Sequence, residues 1–229
     1  MDLENLAAVL GQGDHRVSAD EGVFWLRSIE LDQLLGDPEG LRAKAAELLP
    51  IINAAGKALL PGFHPIELGQ CVDWVAPDGR LKRRLTEPYV IHVRSDERVA
   101  GPPEGSAYAK EFEEWARLAR GDEKIAQVLR LWGSSPVHDW NTLYKLKELI
   151  EAAVGSDIPQ RRWATKAELR RFDHTANSPA VLGHASRHAV QRGDPPARPM
   201  TIDEAQKLVM RLIRGWMGEL GSRGRRRGA

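Results

Sequence analysis

The chain has 229 residues, 42% of them apolar and 28% charged, enough to bury a core in one large domain or two small ones. No apolar run approaches the length of a membrane span, and the acidic start MDLENLAAVLGQGD does not read as a secretory signal. Cys71 is the single cysteine, which excludes an internal disulfide and a cysteine-based zinc cluster and fits a reducing, cytoplasmic compartment. The net charge of +1 hides an asymmetry. Residues 1–150 hold 18 Lys/Arg against 24 Asp/Glu, and residues 151–229 hold 15 against 8. A basic C-terminal part points to an anionic partner. Arg223, Arg225, Arg226 and Arg227 make much of that excess a tail, which reads equally as a solvated terminus.

In chain order, residues 23–31 (VFWLRSIEL) carry the β-branched and aromatic residues of a strand. Pro38 opens a helix over residues 38–60. Its stripe of Leu41, Ala45, Leu48, Leu49, Ile52, Ala55 and Leu59 has helical spacing, and Pro50 is expected to kink or divide it. Residues 66–75 read as a strand, Ala76-Pro77-Asp78-Gly79 as a turn, and residues 80–85 as the returning strand. Residues 89–93 (YVIHV) read as one more. The expected fold class is therefore α+β. A small, mainly antiparallel sheet with one helix fills residues 1–100, and the Pro/Gly-rich stretch 99–106 (VAGPPEGS) closes it.

An all-α helical bundle is expected over residues 106–221, followed by the basic tail 222–229. Ser106, Asp122 and Ser135-Pro136 each mark a helix start. Thr165 with Glu168, and Thr201 with Glu204, have the spacing of capping boxes. The helix after Thr201 carries Ile202, Ala205, Leu208, Val209, Leu212, Ile213, Trp216 and Leu220, and Gly221 is expected to stop it. Trp115, Trp132, Trp140 and Trp216 fall on such stripes and read as packing residues.

No phosphate-cradling glycine loop and no nucleophile elbow is present, and no cofactor is expected. Cys71, beside Val72 and Trp74, reads as a buried structural thiol rather than a nucleophile. One segment concentrates groups able to do chemistry: RRFDHTANSPAVLGHASRHAV, residues 170–190. Arg170 and Arg171 stand four and three residues before His174, so the three share a helical face. Ser178-Pro179 is expected to open a second helix, on which His184, Arg187 and His188 share a face. Asn177 in the joint tolerates left-handed backbone and offers an amide.

Three readings stand side by side. The segment contacts RNA and cuts it: His174 and His188 serve as acid and base, Arg187 holds the phosphate, and Arg170, Arg171, Asn177 and His184 bind the strand. In the second reading His184 and His188 ligate a metal. However, Ala185 stands where a zincin helix carries glutamate, and no metal is expected. In the third, the arginines and histidines are structural.

At these residues a resemblance enters. LYKLKELIE (residues 143–151), ELRRFDHTANSPAVLGHASRHAV (168–190) and PMTIDEAQKLV (199–209) resemble a set of uncharacterised bacterial proteins sharing an LYK helix, a TAN, an ARH-like motif and a PMT helix cap. More loosely, an all-helical unit with Arg and His in adjacent helices is similar to HEPN domains. Those are helical bundles of toxins and phage-defence proteins, many of them metal-independent, dimeric ribonucleases and others binders only. The HEPN pattern sets four to six residues between Arg and His. Here Arg170 precedes His174 by three residues and Arg187 abuts His188. The resemblance implies an RNA-associated protein, with RNA, a protein partner or a second copy as its partners and no membrane. The other expectation is a non-catalytic interaction module within a multi-protein bacterial system.

Overall fold

A computed structural model describes residues 15–20, 23–34, 37–59, 63, 65–69, 71–75, 81–86, 107–134, 138–155 and 157–227. The chain divides into two compact units, Met1–Glu113 and Glu114–Ala229. Among the described residues the protein is mostly helical. The turn at residues 76–79, the strand read at 89–93, the boundary at 99–106 and the cap at Ser106 lie outside the described residues.

In the N-terminal unit, β1 (His15–Asp20) pairs antiparallel with β2 (Val23–Ser28), in register from His15 against Ser28 to Asp20 against Val23. Residues 15–20 carried no strand signal strong enough to be read from sequence. The expected strand 23–31 stops at Ser28 because the Ser28 hydroxyl accepts the Glu30 N–H at 3.2 Å and caps a single helical turn, α1 (Ile29–Asp32). Helix α2 (Pro38–Leu59) begins at its proline, and Asp37 Oδ1 accepts the Gly40 N–H at 3.0 Å. Pro50 sits inside this one continuous element rather than dividing it. The stripe is buried as its spacing predicts: Leu31, Ala45 and Leu48 form a core cluster, against which Leu26, Leu41 and Leu68 pack.

The strand expected over residues 66–75 is shorter, β3 (Cys71–Val75), paired antiparallel with β4 (Leu81–Thr86). Asn53 supplies the reason. Buried on α2, its amide donates to the Ile66 carbonyl and accepts the Ile66 N–H, both at 2.9 Å. The backbone groups that Ile66 would give to a strand ladder are thus already paired with a side chain. The expected single small sheet is corrected as well. Among the described residues there are two separate two-stranded sheets, β1–β2 and β3–β4.

In the C-terminal unit, helices follow one another. Helix α3 (Ala107–Gly121) crosses the division between the units. Asp122 caps α4 (Glu123–Gly133), accepting the Lys124 N–H at 2.8 Å. The next helix, α5 (Trp140–Val154), starts later than Ser135-Pro136 suggested, because Asp139 is its cap and accepts the Thr142 N–H at 2.7 Å. Both capping boxes form. Thr165 and Glu168 start α6 (Lys166–Ala176), and Thr201 and Glu204 start α8 (Ile202–Arg227). Between them lies one short helix, α7 (Pro179–Leu182). The stripes of α4, α5 and α8 meet in the core, where Val128, Leu129, Leu143, Leu146, Ile150, Val209, Leu212 and Ile213 are all fully buried.

Gly221 does not stop α8, which continues to Arg227. The glycine serves a close approach instead. A Cβ there would stand 3.0 Å from Glu114 Oε1. Beyond it the Ser222 hydroxyl donates to the Gly218 carbonyl at 2.8 Å, and Arg223 pairs with Glu219. The first residues of the supposed tail are therefore helix.

Candidate nucleic-acid interface

Helix α6 buries Phe172, Thr175 and Ala176. Phe172 has no exposed surface and packs against the rings of Trp140, at 5.6 Å, and Tyr144, at 6.2 Å. That anchoring fixes what the other side of the helix presents. Lys166, Arg170 and His174 are all exposed and follow at four-residue steps. They form one outward stripe, with about 6 Å of axial rise between successive groups.

The second helix expected for the site is one turn long. Gly183, with φ of +55°, ends α7, and a 3₁₀ turn (Gly183–Ala185) follows. His184, Arg187 and His188 therefore do not share a helical face, and the i, i+4 pairing behind the metal reading is absent. Among the described residues no group of three or more His, Cys, Asp or Glu is placed to hold a metal ion. The Arg187 N–H returns to α6, donating to the Ala176 carbonyl at 2.9 Å.

Residues 188–200 then run back along α6 as an irregular strap. Pro195, Pro196 and Pro199 lack an N–H, so the strap cannot form a ladder, and side chains take up its carbonyls instead. Gln191 accepts from the Ser178 hydroxyl at 2.9 Å and the Ala180 N–H at 3.1 Å. Thr175 accepts the Met200 N–H at 2.9 Å.

This strap decides the fate of the expected site residues. Arg171 donates to the carbonyls of Arg198 at 3.0 Å and Pro199 at 2.9 Å, and makes a two-pronged pair with Glu204 at 3.0 and 2.7 Å. That guanidinium holds the Glu204 carboxyl below its ordinary value. Arg187 points elsewhere. It lies 4.4 Å over the Tyr144 ring, donates to the Tyr144 hydroxyl at 3.1 Å, and reaches Glu148 at 3.3 Å.

The histidines are equally dispersed. His174 Nε2 stands 2.9 Å from the Asp194 carbonyl. A carbonyl only accepts, so Nε2 is the donor in this bond. His184 is exposed on the 3₁₀ turn, and His188 is half-buried with its N–H on the Ser186 hydroxyl at 3.3 Å. Asn177 is the C-cap of α6 at φ of −94°, outside the left-handed region, and its Oδ1 is enclosed rather than offered to solvent. Arg170 alone of the three site arginines has no side-chain partner among the described residues. Lys166, Arg192 and Arg198 share that property.

Two features went unread in the sequence. Lys147 on α5 is buried, with Nζ 2.8 Å from Glu151 and 2.9 Å from Asp173. Its i, i+4 spacing to Glu151 was the available signal. The second is an absence of acid. Residues 174–193 contain no Asp or Glu, but three His and two Arg.

Glu168 joins the start of α6 to α8. The Thr165 N–H and the Arg211 guanidinium hold its carboxyl at about 2, against an ordinary 4.5, outweighing its partial burial. A depressed carboxyl stabilises the fold above its ordinary value and loses that contribution as pH falls toward the folded one. Glu168→Gln keeps the cap geometry and removes the charge. Wild type should be the more stable above pH 4.5, with the gap closing toward pH 2, as read from urea midpoints. A gap independent of pH would show that the charge is not what Glu168 contributes.

No helix among the described residues is long and apolar enough to cross a membrane. No protein-family model, curated protein or solved structure matches the chain.

Proposed function

We propose that the C-terminal unit binds RNA without cutting it, through the α6 stripe Lys166–Arg170–His174 and the neighbouring strap arginines Arg192 and Arg198. The carrying observation is how the cations divide. Arg187, which a cutting site would place on the phosphate, is committed to Tyr144 and Glu148, and Arg171, expected to bind the strand, is committed to Glu204. The exposed Lys166, Arg170, Arg192 and Arg198 have no side-chain partner among the described residues, the first two on the α6 stripe and the last two on the strap that Arg171 and His174 hold. Acid–base cleavage needs two groups converging on one phosphate. His174 and His188 sit in separate settings, one tied to Asp194 and the other beside Ser186. A row of free cations is what binding to a phosphate backbone requires.

Titration of a fluorescent RNA over a range of salt tests this. Binding should weaken linearly in log salt, and Lys166→Ala with Arg170→Ala should flatten the slope by roughly 0.7 per lost contact on a single strand. The RNA should stay intact with or without EDTA. An unchanged slope in the double variant would refute the stripe, and cleavage that depends on His174 or His188 would refute binding alone.

A further inference from the structure

Resting on the RNA reading, we infer that the protein selects unpaired RNA, because the projecting segment 179–190 receives bases while the α6 stripe and strap hold the backbone. The segment is apolar, yet none of it is buried. Helix α7 and the 3₁₀ turn bury no residue, and Val190 is 71% exposed, the most exposed large apolar side chain described. It is nevertheless tied down on several sides. The Arg187 N–H bonds Ala176, Gln191 clamps Ser178 and Ala180, and the Arg187 side chain lies on Tyr144. A chain that holds Val190 in solvent and leaves Val181 and Leu182 only half-buried has made an interaction surface of them.

Charge selects the occupant. The projection lies inside the twenty acid-free residues 174–193, so nothing in it repels an anion. Its base meets the cation row, since Gln191 at the clamp is followed by Arg192, and His174 at the end of α6 holds the strap at Asp194. A polyanion drawn to that row has its next units over the apolar projection and the exposed His184 ring. A duplex buries its base faces and offers only phosphates and sugars there. A single strand offers flat apolar bases, which pack on apolar and imidazole surfaces while their phosphates meet the cations.

The test uses the full chain, a labelled 12-nucleotide single-stranded RNA and the same sequence as a duplex, at one salt concentration. Wild type should bind the single strand about tenfold more tightly. His184→Ala with Val190→Ser changes only exposed side chains, so its melting temperature should match wild type. It should weaken single-strand binding about fivefold or more, with the salt slope and duplex affinity unchanged. Equal affinity for the two probes, or equal loss on both, overturns this inference and leaves the RNA reading standing. Failure of wild type to bind either probe at low salt removes the RNA reading itself. A mass that doubles with concentration, and stops doing so in the variant, would assign the projection to a second copy of the chain and also overturn it.

Discussion

Leu212→Asp should abolish cooperative unfolding of the C-terminal unit. Leu212 lies midway along α8, has no exposed surface, and belongs to the layer formed with Leu208, Val209 and Ile213. Removing its side chain alone costs about 2–5 kcal/mol in a core that collapses only partly. The aspartate then adds a desolvated carboxylate, or a protonated acid without partners, at a further cost of several kcal/mol. Together these approach the roughly 5–15 kcal/mol that holds a typical domain folded. The expected observation is loss of a sharp thermal transition, or insoluble protein. Arg214→Asp, two residues on and exposed, controls for the change of charge and helix propensity and should shift stability by about 0.5 kcal/mol. A Leu212→Asp variant that melts as wild type does would show that α8 is not the centre of this core.

What could be read from the sequence was local. The caps at Asp122, Thr165 and Thr201 each join a side chain to a backbone N–H two or three residues away, so composition and spacing suffice to find them. The stripes of α2 and α8 were legible for the same reason, because one period of 3.6 residues decides which side is buried. Two glycines show where such reasoning stops. Gly183 and Gly221 each follow an apolar helical run, yet the first takes positive φ and ends its helix while the second packs against Glu114 inside a longer one. Only the neighbour across the fold distinguishes them. The site arginines fail the same way. The partners of Arg171 are 27, 28 and 33 residues distant, and those of Arg187 are 43 and 39. A sequence shows that a guanidinium is present but not whether a carboxylate from another helix has already claimed it.

Lys147→Met should destabilise the C-terminal unit by roughly 2 kcal/mol, and the loss should belong to the carboxylates it strands rather than to the lysine. The ammonium is only 4% exposed, between Glu151 on its own helix and Asp173 on α6, whereas those carboxylates are 35% and 37% exposed. Without the cation the two negative charges face each other beside the core. Because each is partly wetted, the cost stays below the 3–5 kcal/mol of a fully buried broken pair. Methionine preserves most of the volume, so a cavity contributes little. Adding Asp173→Asn removes one stranded charge and should restore about half of the loss, a coupling that a double-mutant cycle in urea measures directly. The pH dependence has a definite sign. Burial pushes the Lys147 ammonium down, but the two carboxylates outweigh it and hold the group above its ordinary 10.5. Stability from a raised lysine is complete below that value and lost as pH rises through the folded one. The gap between wild type and Lys147→Met should therefore be flat from neutral pH to about pH 10 and narrow only above it. If Asp173→Asn instead destabilises the Lys147→Met background, stranded charge is not the cause, and Lys147 acts through its packed stem alone.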